Sequence, residues 1–506
     1  MHITAYYKPA ISSIILLACL SCKPNATRHG DLEQKDSTDY TTLFLPDTSY
    51  ASAEAVSYRI DEADSLAHPL LNLDDYYAGE GVHAFRKTTR RDASFGGKIE
   101  GTPSDIEVVW TFNTDEDFRD TWHDTKWGGG SGWTGQPLYL KGTNEIVVGS
   151  LCSRLYFIDF ATGDSSRTSL PTHNPIKGTV SYDEEYNNLY VGQGVPNEQP
   201  FGCMVFDLDK NEQTFMRGAD PKAMRGWGAF DSSPIIAGGY LFWAGENGSV
   251  YKYRREKGKI TEVSVLRYTV GGTAPGIETS LCVYRNYGYF GDNHGNIICI
   301  NLNTMRPVWH YYNHDDTDAS IVCCEEDGIP FVYTGCEVDK QGETGESHFV
   351  KLNGLNGELV WERTYTCGRF HHGNSISDGG LYGTPLLGTG DGEGMIFCAL
   401  SRNGADGHDE ASGQFFAFDT KTGEERYMVQ LDRYAWSSPV SFLNERNEMF
   451  ILIGDCGGKM YVIRAKTGEI LVKKQIGYNF ESSPIVIGNT AVVGSRTNGI
   501  HKVAIK

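Results

Sequence analysis

Residues 479–488 read NFESSPIVIG, and the tripeptide at their centre, Ser482-Ser483-Pro484, stands twice more in the chain, at Ser232-Ser233-Pro234 and Ser437-Ser438-Pro439. Each copy heads a short apolar run. A proline inside a central strand removes a ladder hydrogen bond, so a proline repeated at strand starts marks an edge. Aligning the chain on this start gives eight units: WTGQPLYL, IKGTVSYD, FDSSPIIAG, IETSLCVYR, DASIVCCEE, LYGTPLLG, AWSSPVSFL and FESSPIVIG. Their central residues are Gln136, Thr179, Ser233, Ser280, Ser320, Thr384, Ser438 and Ser483, at intervals of 43, 54, 47, 40, 64, 54 and 45 residues. That length suits a four-stranded propeller blade, with loop insertions in the longer units.

A second phrase repeats within the units. SLCSRLYFIDFATGDSSRTSL, EASGQFFAFDTKTGEERYMVQ and CGGKMYVIRAKTGEILVKK each run from alternating apolar residues through a Thr-Gly turn into another strand. A turn residue followed by Gly is hairpin chemistry. The two ends of the array are complementary. The last unit supplies three strands before Lys506, and IEVVWTFNT (106–114) matches the fourth-strand phrase seen in ELVWERTY and RPVWHYY. The expected fold is therefore all-β: an eight-bladed β-propeller over 83–506, closed by an N-terminal strand in the last blade, with an open β solenoid as the structural alternative. Closure removes long open edges. The innermost strand of each blade is then an edge along the central channel, with its outward N–H groups expected to face water. Pro137, Pro234, Pro385, Pro439 and Pro484 hold one equivalent position there, and small residues precede them because eight sheets converge near the axis.

The two phrases together resemble the quinoprotein-type (PQQ-like) propeller repeat. Thr162-Gly163, Asp207, Thr422-Gly423 and Thr467-Gly468 match its turn, and Trp110, Trp309 and Trp361 match its terminal Trp. The segment from Val82 to Phe112, with a Phe-Arg element before the closing strand, looks like the start of such domains. The architecture is also similar to that of the propeller lipoprotein of the β-barrel assembly machinery. This resemblance implies a fold more than an activity, since the fold hosts several.

The N-terminus reads as a targeting segment, outside the fold. Lys8 is followed by the apolar stretch AISSIILLACLSC, too short to span a bilayer. Leu16-Leu17-Ala18-Cys19 resembles a bacterial lipobox, with Cys19, or else Cys22, as the lipidated residue; a plain cleaved signal peptide is the alternative. Residues 1–22 are thus expected to be a lipoprotein-type signal peptide, and residues 23–82 a polar tether and irregular pre-domain segment. A net charge of −20 disfavours nucleic acid and anionic membrane surfaces as partners. Ten further cysteines are scattered through apparent strands without framework spacing, and neither CxxCH nor paired CxxC occurs.

Function is expected on the face where the loops before the inner strands and those between second and third strands meet. The residues two before each unit centre are Thr134, Lys177, Asp231, Glu278, Asp318, Tyr382, Trp436 and Glu481. Such a set suits a bound cation, or a basic peptide held by carboxylates and stacked on aromatics; it equally suits solvated charge at a pore rim. Trp133 and Trp227 stand on rich preceding loops, TWHDTKWGGGSGW (121–133) and MRGWGAFD (224–231). HDDTD (314–318) offers oxygen ligands but lacks the EF-hand pattern, and His371-His372 point opposite ways if extended. No metal site is singled out. Alcohol-oxidising quinoproteins of the resembled family carry a vicinal disulfide beside the cofactor on a loop. Cys323-Cys324 instead sits in an apparent inner strand and reads as a structural thiol pair.

The expected function is a membrane-tethered extracytoplasmic propeller, monomeric, binding an envelope protein, peptide or surface ligand, with no cofactor. The alternatives are a PQQ- and Ca-dependent quinoprotein dehydrogenase or its inactive relative, with Glu278, Asn174 and Asp231 or Asp318 imagined around the metal, and a glycan-binding surface protein.

Overall fold

The computed structural model describes residues 44–48, 51–63, 69–119, 128–373 and 375–506. The signal segment with Cys19 and Cys22, most of the tether and the loop residues 120–127, with Trp122, His123 and Trp127, lie outside the described residues. The described chain is built from eight four-stranded antiparallel blades. They span 138–171, 181–217, 235–270, 282–312, 322–368, 386–431, 440–475 and 485–505, numbered 1 to 8 here. Ile106–Asn113 completes blade 8 by pairing antiparallel with Gly499–Ile505, from Ile106↔Ile505 to Asn113↔Gly499, so the ring is closed as the repeat register implied.

Six further strands are described outside the blades. Val56–Glu62, within the stretch read as tether and irregular segment, is a strand on the outer edge of blade 3, paired with Lys259–Val270. Its polar composition fits an exposed outermost edge, and this hid it from a search for apolar alternation. Gly97–Ile99 runs parallel to Val440–Asn444 inside blade 7. Glu337–Val338 pairs with Gly379–Gly380 next to blade 6. Among the described residues no helix is long and apolar enough to cross a membrane.

The Thr-Gly phrase has a packing role. Asp159 Oδ1 accepts from the N–H groups of Ala161 and Thr162, and Gly163 follows at φ 80°. Trp110 from the neighbouring blade lies on that glycine, where an added Cβ would come within 2.6 Å of the ring. Trp110 Nε1 donates to the Phe160 carbonyl at 3.1 Å. Trp309 sits likewise on Gly357 and Trp361 on Gly423. The outer-strand Trp and the next blade's turn glycine are therefore two halves of one joint.

The repeated serine is a second joint. The Ser233 hydroxyl accepts from Thr179 N–H at 3.1 Å, Ser280 from Ser233 N–H at 2.9 Å and Ser320 from Ser280 N–H at 2.9 Å. Ser438 accepts from Thr384 N–H and Ser483 from Ser438 N–H, at 2.9 and 3.0 Å, and Ser483 N–H donates to the Gly135 carbonyl of blade 1. Small size near the axis is only half of the explanation. The hydroxyl also passes a hydrogen bond from blade to blade among buried backbone groups that need partners.

The inner strands do not face a watery channel, contrary to expectation. Residues 82–95 thread across the axis and cover them. His83, Thr89 and Arg90 carbonyls accept from Tyr182, Val283 and Cys323 N–H groups, and Val82 exchanges bonds with Tyr139. Two fully buried arginines hold the centre. Arg86 donates to the carbonyls of Pro385 and Pro439 at 3.0 Å each, and to Arg91 O at 2.9 Å. Arg91 donates to Leu281, Ser233 and Phe85 carbonyls at 2.8–3.1 Å. Burial pulls them down, Arg86 to about 9 and Arg91 to about 10, and both stay charged at neutral pH. The proline carbonyls thus find donors in a plug that the repeat pattern alone could not show.

Arg86→Met, which removes the donors of three buried carbonyls, is expected to destabilise by about 3–5 kcal/mol. Ser438→Ala, which strands one N–H, is expected to cost about 1–3 kcal/mol. Both are read from denaturant midpoints, and an Arg86→Met midpoint equal to that of the parent would remove the plug from the account of stability.

Candidate functional site

On one face the loops enclose a cavity of about 1040 Å³, lined among others by Trp133, Lys177, Glu278, Asp318, Tyr382, Trp436 and Glu481. Position two before the unit centre is set by the start of the inner strand, so the same offset in successive blades delivers side chains to one funnel. Asp231 occupies the equivalent place in blade 3 but is fully buried beneath the funnel, ion-paired with Lys177. Trp227 is not among the lining residues; it packs edge-on against Phe201, with ring centroids 5.9 Å apart. Thr134 is buried and bonds the Asp231 carbonyl.

The aromatic side of the funnel is a continuous stack. Tyr382 and Trp436 lie face to face at 4.5 Å with planes 23° apart, Trp133 meets Tyr382 edge-on at 6.2 Å, and Tyr434 flanks Trp436 at 5.5 Å. Lys177 Nζ is 5.8 Å from the centre of the Trp133 ring. Trp436 Nε1 is buried without a hydrogen-bond partner. Phe118 and Ile376, 55% and 48% exposed, form an apolar lip at the mouth.

On the acidic side, Glu278 and Asp318 line the cavity, each the outermost member of a buried carboxyl grouping. In the first, Asp231, Glu246 and Glu278 bring oxygens within 4.8 Å of one another, with Lys177 bonded to Asp231 and 3.7 Å from Glu278. Burial pushes Asp231 up to about 6 against the pull of Lys177, and burial with the neighbouring Glu278 and Asp231 charges holds Glu246 well above the carboxylate range. Burial opposes the charge on Lys177, yet the surrounding carboxylates hold its pKa above the usual lysine value. Lys177 thus occupies this grouping as an internal cation.

In the second, Asp316, Asp318 and Glu337 are equally close together, with Lys340 Nζ 3.0 Å from Asp316. Asp318 and Glu337 lie side by side, and Tyr382 stands next to Glu337. Burial raises all three carboxyls: Asp316 to about 7, and Asp318 and Glu337 well above their usual range, helped by their mutual repulsion. Asp318 and Glu337 therefore retain protons at neutral pH.

Glu246, Glu337 and Arg496 were missed by the offset rule. Each stands one or two residues after the glycine that ends a second strand, Gly245, Gly335 or Gly494, in the other loop set of the same face. Arg496 pairs with Glu481 at 2.9 Å. In the HDDTD loop, Asp315 accepts from the N–H groups of Asp339 and Lys340 and so builds the loop, while Asp316 and Asp318 enter the second grouping. His371 and His372 reach different partners, Glu343 and Ser377. Outside the funnel, His314, His348 and Glu362 also cluster, but the two imidazoles stack at 4.0 Å with planes 20° apart, so their lone pairs run side by side rather than converge.

This geometry defines an eight-bladed β-propeller with an acid- and aromatic-lined funnel on one face. Among solved structures the chain is similar to a europium-containing methanol dehydrogenase, with a TM-score of 0.60 and 12% identity, covering 84% of this chain and 98% of that one. It is similar to the quinohemoprotein alcohol dehydrogenase of Comamonas testosteroni, with a TM-score of 0.61, 12% identity and coverage of 87% and 83%. It is also similar to BamB from Moraxella catarrhalis, with a TM-score of 0.50, 12% identity and coverage of 79% and 98%. No protein-family model matches the sequence, and no curated protein compared with it is similar. At this identity the likeness concerns the fold.

The quinone cofactor that the fold brings to mind does not fit the residues present. It is a polycarboxylate and needs spare cations, whereas Lys177 is held by Asp231 and Glu278, and Arg496 by Glu481. Glu116, Glu278, Asp318 and Glu481 line the same walls. Cys323 and Cys324 are free thiols on the inner strand of blade 5, and Cys323 N–H bonds the plug at Arg90 rather than the funnel.

The raised carboxyls give a pH dependence of defined sign. The folded state holds protons that the unfolded chain has released above about pH 4, so stability is fully present below that value and is lost as pH rises through the folded pKa values. With Asp231 at about 6 and Asp316 at about 7, the melting temperature is expected to fall by a few degrees between pH 5 and 8. Asp318→Asn should flatten that slope, and a melting temperature that rises over this range would contradict the assignment.

Proposed function

We propose that this protein is an exported, lipid-anchored β-propeller of the bacterial cell envelope that acts as a scaffold, binding a polypeptide partner through the funnel face. The observation that carries the reading is the funnel itself: an aromatic stack and two acidic groupings converge on one blind cavity with an apolar lip. Interface anchors are commonly aromatic and seated in pockets, and loops on a rigid scaffold are where binding resides. The architectural similarity to the propeller lipoprotein of the barrel-assembly machinery supports a scaffold role. The acidic grouping favours a cationic polypeptide over a neutral glycan, and the pairing of Lys177 and Arg496 with carboxylates disfavours the quinone-dependent reading.

The test is capture from an envelope extract by the purified propeller, followed by mass spectrometry. Combined alanine substitution of Trp133, Tyr382 and Trp436 is expected to reduce recovery of the partner at least ten-fold, while Trp227→Ala leaves it unchanged. Unchanged recovery with the triple variant would place binding elsewhere. Addition of the quinone with calcium is expected to produce no dye-linked alcohol oxidation. In cells, Cys19→Ala is expected to abolish labelling by palmitate and release the protein from membranes; retained label would move the anchor to Cys22.

A further inference from the structure

We propose that the recess of Asp316, Asp318 and Glu337, flanked by Tyr382 and Trp436, receives the side-chain cation of a lysine or arginine presented by the partner; this rests on the polypeptide-binding reading above. Three observations converge on it. The first is charge. Six carboxyls in the two groupings face two lysines, Lys177 and Lys340, and each lysine is already committed to its own grouping. The second is an open valence. Asp318 is 8% exposed and lines the cavity, and its Oδ1 has no hydrogen-bond partner; Asp316 Oδ1 is equally bare. Buried carboxyl oxygens without donors are costly unless a ligand supplies them. The third is shape. Oxygens no more than 4.8 Å apart leave a common point about 2.8 Å from each, the N···O distance of a charge-assisted hydrogen bond.

A divalent ion could be drawn to the same oxygens, but it seeks six or more of them. Here Asp318 lines the same cavity as Tyr382 and Trp436. The Tyr382–Trp436 stack offers π surface to an organic cation. The unpartnered Trp436 Nε1 offers a donor to a neighbouring carbonyl. A cation with an amide carbonyl nearby describes a basic residue in a peptide better than a bare ion. Binding a full positive charge favours ionised carboxylates, so entry of the cation would expel protons held by Asp318 and Glu337. Lys340, Glu278, Asp339 and Asp378 are the other charged groups whose fields act on the recess.

The test uses the full folded domain with N-acetyl-argininamide and N-acetyl-lysinamide, and N-acetyl-citrullinamide as the uncharged isostere, read by calorimetry and tryptophan fluorescence. The charged amides are expected to bind at least ten-fold tighter than the citrulline amide. Asp318→Asn and Glu337→Gln should each erase that discrimination, and Asp432→Asn, paired with Lys459 away from the funnel, should preserve it. Circular dichroism confirms folding, and removing one of three mutually repelling carboxyls is not expected to unfold the domain. Equal binding of citrulline, or calcium binding that Asp318→Asn abolishes and that excludes the argininamide, would overturn the proposal. If discrimination holds while partner capture ignores the aromatic triple, the scaffold reading fails and this one stands. If capture needs the aromatics but neither capture nor argininamide binding responds to Asp318→Asn, this proposal fails alone.

Discussion

Two guanidinium groups at the axis set the terms for the rest of the molecule. A ring of eight sheets converges on inner edges whose carbonyls and N–H groups would otherwise line a bore. Buried backbone polar groups need partners, and Arg86 and Arg91 supply donors to blades 3, 4, 6 and 7 from a single peptide segment. The same segment gives backbone bonds to blades 1, 2, 4 and 5. The direct partners of both guanidiniums are carbonyl dipoles rather than carboxylates. Their rigid forks suit this work in a way a lysine would not.

Because the bore is filled, the cavity on the opposite side of the plug is a blind pit rather than a tunnel. Its chemistry follows from the burial of the carboxyls around it. Carboxyls at its floor are cut off from bulk water and repel one another, so they keep protons that exposed carboxylates would shed. One lysine is retained as an internal counter-charge to Asp231, and the second grouping is left with bare oxygens. The aromatic wall stands beside it. Polar recess and ring stack together make a surface suited to ligands that carry both charge and an apolar stem.

Much of this was legible from one chain. The Ser-Pro start and the Thr-Gly turn are spaced like blades, and the match of IEVVWTFNT to a fourth strand predicted the closure seen between Ile106–Asn113 and Gly499–Ile505. The offset rule found Lys177, Glu278, Asp318, Tyr382, Trp436 and Glu481 because inner-strand starts are equivalent around a ring. It could not find Glu246, Glu337 or Arg496, which hang from a different loop set, nor separate Trp227 from the funnel, since loop length decides where a side chain lands. The plug was invisible for another reason. HAFRKTTRRDASF has no periodicity, and four of the six carbonyls that Arg86 and Arg91 bond lie more than a hundred residues away. The serine hydroxyl chain was seen as spacing and missed as bonding, because size and donor–acceptor chemistry select the same residue.

The latch that joins the first and last strands has a consequence for how the chain comes into being. Ile106–Asn113 leaves the ribosome before seven whole blades, and its partner, Gly499–Ile505, follows only after them. Such distant pairing is slow, and an unsatisfied edge invites mispairing while it waits. Until residues 499–505 are made, the early strand must remain unpaired or be shielded, so a nascent chain stalled before residue 499 carries an adhesive edge and an unfinished circle.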